Sequence, residues 1–447
     1  MRMSEKHPNV RALAVPSGRM SRFGRLSAMT AGVAGNMAVN GIAQLAQGQR
    51  PAMRDLLITP QNITRITEKL AQMRGAAMKI GQLMSMDTGE FLPPEMAQIM
   101  SRLRDNAHTM PPAQLRRVLD TQWPKNWLGQ FAKFDVRPIA AASIGQVHRA
   151  RLKDGRDLAI KVQYPGVADS IDSDVANVGA LLRMSGLIPK GVALAPYLEE
   201  ARKQLHQETD YTREGQYLAR FGALLADAPG FTVPAYVPEW STPQILAMSY
   251  VESVPIEAAF TQPEAERLRI ADALIGLTLR ELFDEGLMQS DPNFANYRYD
   301  PQTGRIILLD FGATCELNPM IVAQYRALLA AGLIDDRAAL ARIAQEIGFI
   351  APDTADRHRM AIMDMMQMAF TALRADGPFD FTDKTLPRAM QNAGIALAED
   401  GFVPPPLPID VLLLQRKFGG MFLLASQLGA QLDLSGYFAR YVASNAR

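Results

Sequence analysis

Apolar positions in this chain recur with two different periods, and the change between them divides it. From Ile63 through Ile66, Leu70, Met73, Ala77, Ile80 and Met84 the steps are three and four residues, the spacing of an amphipathic helix. Residues 51 to about 120 read as helical on that pattern, punctuated by Pro93-Pro94 and Pro111-Pro112, because proline cannot continue a helix past its first turn. Ahead of them, 26–50 is rich in Ala, Gly, Asn and Gln and predicts only a weak helix on Val33, Ala34 and Met37. Between Phe131 and Val162 the texture becomes strand-like. Residues 146–152, a turn at Lys153-Asp154-Gly155 and residues 158–162 predict a β-hairpin. Helical periodicity returns over 166–225, and short strands are predicted at 233–237 and 244–251. After Glu252 the chain reads almost wholly helical, except in 297–310, where Arg305-Ile-Ile-Leu-Leu-Asp310 has the look of a buried strand.

At 447 residues, 48% hydrophobic and 21% charged, the chain can bury two or three packed regions, which excludes a disordered chain. The pattern predicts an α+β protein laid out as a basic, Ala/Gly-rich segment (1–50), a helical extension (51–130), a small mixed β/α lobe (131–251) and a helical large lobe (252–447). Lys plus Arg number 47 and Asp plus Glu 46, so no global field draws the protein to nucleic acid. The charge is local instead. Residues 1–25 hold Arg2, Lys6, Arg11, Arg19, Arg22 and Arg25 against Glu5, which suits a solvated tail, contact with an anionic membrane surface or a transit-like targeting segment. A spanning helix is not expected, since the most apolar window, 30–47, is broken by Asn36, Asn40 and Gln44. One cysteine, Cys315, excludes an internal disulfide and a thiolate-built zinc or iron–sulfur site, and fits a reducing compartment. The histidines (His7, His108, His148, His206 and His358) lack ligand spacing, so no metal cage is expected from them. The run Met360, Met363, Met365, Met366 and Met368 reads as adaptable helix packing rather than a lipid-binding face.

Chemistry concentrates in four residues. Lys161 ends a Leu-Ala-Ile-Lys strand, similar to the strand whose lysine grips nucleotide phosphates in protein kinases. Asp291-Pro-Asn-Phe-Ala-Asn296 keeps Asp and Asn at the spacing of a kinase catalytic loop, and Asp310-Phe-Gly312 follows a buried strand. The order and the elements agree, which predicts a two-lobed, protein-kinase-like fold. Handling a triphosphate requires a cation at the phosphates and magnesium held by hard oxygen ligands. Lys161 fits the first role, positioned by a helix carboxylate for which Glu214 is the candidate. Asn296 and Asp310 fit the second, and Asp291 would orient the attacking hydroxyl or water.

Further motifs make the resemblance specific. Lys79-Ile-Gly-Gln82, Ala140-Ala-Ala-Ser-Ile-Gly-Gln-Val147, Lys161-Val-Gln-Tyr-Pro-Gly166 and Glu208-Thr-Asp210-Tyr-Thr-Arg-Glu214 together resemble the UbiB / AarF-domain atypical kinase family, in particular its ubiquinone-supporting branch, over about residues 60–430. The resemblance implies a helical extension covering the active site, with Lys79 near Glu208 and with Lys79, Gln82, Glu208 and Asp210 as regulatory residues. It implies that Ala140, Ala141, Ala142, Ser143, Ile144, Gly145, Gln146, Val147, Lys161, Tyr250 and Val251 contact ATP or ADP, with Mg2+ as the metal. As partners it implies ubiquinone-biosynthesis proteins, prenylated phenol lipids and an anionic membrane surface, with a homodimer left open. The implied location is peripheral on a membrane, cytoplasmic in a bacterium or on the matrix side of a mitochondrion.

Departures from ordinary protein kinases bear on mechanism. The loop at 140–145 has one glycine, Ser290 precedes Asp291, and Asn293 stands where a phosphate-neutralising lysine is common. A helix expected near Asn318-Pro319 leaves no room for an activation segment. ATP hydrolysis is therefore favoured over protein phosphorylation, with small-molecule or lipid phosphorylation and nucleotide-gated binding without turnover as the rivals. Arg416 and Lys417 read as part of a core helix.

Overall fold

A computed structural model describes residue 70 and residues 73–87, 109–185 and 194–443. The basic segment at 1–25, the weak helix at 26–50, Pro93-Pro94, His7 and His108 lie outside the described residues. The described chain forms two units, one comprising residues up to Arg220 together with Pro234–Tyr250, the other Phe221–Val233 and Val251 onward. The described parts of the expected extension therefore cluster with the small lobe.

In the first unit the predicted hairpin forms. Strand β3 (Gly145–Leu152) pairs antiparallel with β4 (Asp157–Gln163), and Gly155 turns at φ 96°, where a residue without Cβ is unstrained. β1 (Phe131–Phe134) and β2 (Ala140–Ala141) flank β3, and β5 (Ile245–Ser249) closes the sheet beside β4. Successive strand residues point to opposite faces, so the two faces differ in chemistry. Leu158, Ile160 and Val162 join Trp123, Trp127 and Phe131 in a buried core. Helix α2 (Pro112–Gln122), which starts on Pro112 at its first turn, adds Leu115, Val118 and Leu119 to that core. Ala159, Lys161 and Gln163 face the other way. Helices α1 (Arg74–Asp87), α3 (Val167–Ser185) and α4 (Leu194–Glu208) also belong to this unit, as does α5 (Tyr211–Leu224) up to Arg220.

The second unit is mainly helical, but less so than the periodicity predicts. Helix α6 (Glu264–Arg280) runs into a π-helical turn, Glu281–Glu285, that ends at Gly286 with φ 57°. β7 (Leu287–Gln289), β8 (Tyr297–Tyr299), β9 (Ile306–Leu308) and β10 (Thr314–Glu316) follow, and the expected buried strand is β9. β6 (Val254–Pro255) pairs with β8, while β11 (Phe379–Asp380) pairs with β12 (Gln431–Leu432) across more than fifty residues. These short strands, like Phe231–Thr232 beside β9 where the sequence pattern placed 233–237, are fixed by distant partners and leave no period-2 signal of their own. Helices α7 (Pro319–Leu333), α8 (Arg337–Ile347), α9 (Asp356–Arg374), α10 (Thr385–Glu399), α11 (Ile409–Gln427) and α12 (Ser435–Ala443) make up the rest. On α9, Met363 is buried while Met360 is exposed.

Candidate functional site

The first cluster lies in the first unit. Lys161 emerges from β4 opposite Val147 of β3, and its Nζ donates to both carboxylate oxygens of Glu214, at 2.7 and 3.0 Å. The lysine side chain is 8% exposed and the glutamate 1%. Asp210 sets the register of α5 by accepting from the backbone N–H of Arg213 at 3.0 Å, which caps the helix carrying Glu214. Lys161 also lies 5.1 Å from the ring centre of Tyr211.

The Ala-rich segment forms a hairpin tip. Ala140 pairs with Val147 and Ala141 with Gln146, and the Ala142 N–H donates to Gly145 O at 2.8 Å. Ala140, Ala141 and Ser143 lie on or near the surface, while Ile144 is buried and its carbonyl accepts from Tyr164. The lone glycine has a steric reason: a Cβ on Gly145 would stand 2.5 Å from Val162 O and 2.9 Å from the Tyr211 hydroxyl. Gln146 is directed to the core face. Its Oε1 accepts from Met110 N at 2.8 Å and its Nε2 lies 2.8 Å from His148 Nε2, so its side chain is committed to the interior. Tyr250 stacks under the Arg149 guanidinium, 4.0 Å from the ring centre, and the Val251 carbonyl accepts from Ser253.

Helix α1 packs on this cluster. A Cβ on Gly75 would be 3.1 Å from the Ile144 side chain, so α1 rests against the tip of the Ala-rich hairpin. Lys79, 5% exposed, forms an ion pair with Glu208 at the end of α4. Gln82 is on the same helix, with its side chain outside the described residues. Glu208 and Glu214 serve different lysines because they stand on different helices, Glu208 ending α4 and Glu214 lying in the first turn of α5.

The second cluster lies in the second unit. Ser290 fastens the loop before Asp291 to the loop after Asp310, donating its hydroxyl to Ala313 O at 2.7 Å. Asn293, where a lysine is absent, accepts from Ala295 N and caps the short helical turn Phe294–Asn296. Asn296 Nδ2 donates to Asp291 Oδ2 at 3.0 Å and to Asp291 O at 3.1 Å. Asp310 has φ 35°, in the left-handed region more usual for glycine, and its Oδ1 accepts from the Gly312 N–H at 3.1 Å. Phe311 is buried with its ring centre 4.8 Å from that of Phe221. Helix α7 begins at Pro319 with Asn318 as its cap, so only residues 313–318 separate it from Gly312.

Two contacts here escaped the reading of the sequence. Arg416 on α11 forms an ion pair with Asp291 Oδ1, bringing a positive charge to the Asp291 loop from 125 residues away. Gln289 Nε2 donates to the backbone oxygens of both Asp291 (2.9 Å) and Asp310 (3.3 Å). The available signal was the Arg416-Lys417 doublet inside a helix otherwise built from Val411, Leu413, Leu414, Met421 and Leu424.

The donors fit magnesium, which takes hard oxygen ligands and is bound through one or two carboxylates plus substrate phosphates rather than a full protein cage. Asp310 offers a carboxylate, and because the Asn296 amide hydrogens go to Asp291, the Asn296 oxygen is the end suited to a metal. Among the described residues no group of three or more His, Cys, Asp or Glu is placed to hold a metal.

Comparison with known proteins bears on the family and the fold. Residues 102–344 match the ABC1 atypical kinase-like domain. The chain is 38% identical over 437 residues to the mitochondrial atypical kinase COQ8 of Saccharomyces cerevisiae, covering 97% of this chain and 87% of that protein. It is 35% identical to the mitochondrial atypical kinase COQ8 of Schizosaccharomyces pombe, covering 95% and 70%. A Mycobacterium tuberculosis protein solved in complex with erythromycin shares the fold at 24% identity and a TM-score of 0.58, over 86% of this chain and 96% of that one.

Proposed function

This chain belongs to the ABC1 atypical kinase-like family, and from that premise we propose that it binds ATP or ADP with magnesium and hydrolyses ATP in support of ubiquinone biosynthesis at a membrane surface. The observation that carries the nucleotide reading is the Lys161–Glu214 pair. Burying two charges costs free energy that a hydrophobic pair would not, so such a pair argues for a cation held ready for another purpose. Lys161 contacts phosphate oxygens, Asn296 and Asp310 hold the metal, and Asp291 orients the attacking oxygen. Magnesium, when bound, neutralises charge on the phosphates. The backbone of the hairpin tip from Ala140 to Val147 and of Tyr250-Val251 contacts the nucleotide.

Hydrolysis is preferred to protein phosphorylation because residues 313–318 are too few to form a peptide platform before α7. The same short link admits a second reading, phosphoryl transfer to a small prenylated phenol, which needs no platform. Attachment to the membrane is peripheral: no helix among the described residues is long and apolar enough to cross a bilayer, and the basic residues of 1–25 suit an anionic surface. The location follows the relatives, matrix-side in a mitochondrion or cytoplasmic in a bacterium, with ubiquinone-biosynthesis proteins as partners. The Lys79–Glu208 pair holds α1 in a regulatory position over the nucleotide loop, with Gln82 and Asp210 as the other regulatory residues.

The test is phosphate release from ATP with and without magnesium, neutral vesicles, anionic vesicles and a prenylated phenol. Magnesium-dependent release, raised by anionic vesicles with the phenol, is expected. ATP consumption matched by a phosphorylated phenol would favour the second reading, and no consumption under any condition would contradict both.

A further inference from the structure

Lys417 on α11 is 2% exposed, yet charged and completely surrounded by acceptors. Its Nζ lies 3.0 Å from Glu281 Oε2, 3.0 Å from Gln289 O and 3.1 Å from the Tyr297 hydroxyl. Two of its N–H groups donate, to Gln289 O and the Tyr297 hydroxyl, and the charge is paired with Glu281. These partners belong to three elements: Glu281 opens the π-helical turn after α6, Gln289 ends β7, and Tyr297 starts β8. Burial works against the charge, but Glu281 and Tyr297 outweigh it and hold the lysine pKa above its ordinary value. The cation therefore persists at physiological pH.

What these acceptors share is the catalytic loop. Gln289, gripped through its carbonyl by Lys417, uses its own side chain to bridge the backbone oxygens of Asp291 and Asp310. Lys417, Glu281 and Gln289 also line one small cavity, about 10 Å³, with Asn296 and Asp310. On the next turn of α11 a Cβ on Gly420 would collide with the Pro292 ring, so the helix lies directly on the loop after Asp291. A plain core pair would gain nothing over apolar residues of the same volume. This one instead fixes, through a single glutamine, how the two acidic residues stand to each other.

We propose that Lys417 is a positioning residue that acts through Gln289 to hold Asp291 and Asp310 in register, and so sets the magnesium affinity of the site. The proposal rests on the reading above that Asn296 and Asp310 hold the metal. It predicts a separation between fold stability and metal response that a purely structural pair would not produce.

The experiment uses the full chain and two variants. Lys417→Met/Glu281→Gln removes both buried charges together, so neither ion is left alone. Gln289→Met removes the bridge without touching a charge. Each is measured for thermal midpoint without nucleotide and for the magnesium concentration that gives half-maximal stabilisation by ADP. The expected result is a nucleotide-free midpoint within a few degrees of the parent and a magnesium midpoint raised at least tenfold in both variants. A folded Lys417→Met/Glu281→Gln protein with the parent's magnesium midpoint overturns the proposal. If that variant does not fold, Gln289→Met decides, its raised midpoint supporting the proposal and an unchanged one overturning it. A parent with no magnesium-dependent stabilisation overturns the metal-site reading itself, an outcome distinct from a responsive parent with unresponsive variants.

Discussion

Lys161 and Glu214, 53 residues apart on β4 and α5, form an ion pair in which both carboxylate oxygens accept from one nearly inaccessible ammonium. Removing one partner leaves the other charge in a low-dielectric interior, a change that costs about 3–5 kcal/mol. Glu214→Gln is therefore expected to lower stability by that amount in urea unfolding. Lys161→Met/Glu214→Leu should recover most of the stability while losing nucleotide binding. A Glu214→Gln protein as stable as the parent would show the pair to be solvated.

Arg416 is paired with Asp291, so on the proposed reading its loss should separate the two kinetic parameters. Arg416→Met should lower kcat for ATP hydrolysis at least tenfold with KM for ATP changed less than threefold. A rise in KM at constant kcat would assign Arg416 to direct phosphate contact.

His148 predicts a pH dependence. The ring is fully buried, its Nδ1 donates to Asp135 O at 2.9 Å and its Nε2 accepts from Gln146, an arrangement that requires the neutral ring. Burial pushes its pKa below the ordinary value, with the Asp135 hydrogen bond opposing less strongly. The unfolded chain takes up this proton near pH 6.5 whereas the folded one resists it, so the contribution is present above about pH 6.5 and is lost progressively as pH falls below that value through the lowered folded pKa. Thermal midpoints at pH 7.5 and pH 5.0 should differ more for the parent than for His148→Gln. Equal differences would assign the acid sensitivity to other groups.

Much of this was legible in the sequence, and the divide is physical. Lys161, Asp291, Asn296 and Asp310 sit in short motifs on elements whose period or turn residues declare them. The hairpin at 145–163 follows from alternation plus Gly155. Glu214 was the candidate helix carboxylate for Lys161, and the Lys79–Glu208 pair came from family resemblance. What stayed hidden depends on contacts with no local imprint: Arg416 and Lys417 reach back more than a hundred residues, and Gln289 looks like an ordinary strand residue until both loops surround it. Gln146 was assigned to the nucleotide on its motif, but its position in the pleat sends its side chain to the core beside His148. The very short strands β6, β11 and β12 exist only through their partners.

The Lys79–Glu208 pair joins α1 to the end of α4, with side chains 7% and 17% exposed. Lys79→Ala and Glu208→Ala should each loosen α1 from the Ala-rich hairpin. In a double-mutant cycle on stability their effects should be non-additive by about 1 kcal/mol or more. Full additivity would show that the two do not act as a pair.

The central claim is that Asp310 is a magnesium ligand for a bound nucleotide. Asp310→Asn tests it cleanly, because asparagine also tolerates the left-handed backbone at φ 35°, so the fold is kept while the carboxylate charge is removed. The measurement is the thermal midpoint of parent and variant with ATP, across a magnesium titration. The account predicts that the variant matches the parent without ligand and shows no magnesium-dependent rise with ATP. Equal magnesium-dependent stabilisation of the two proteins would contradict it.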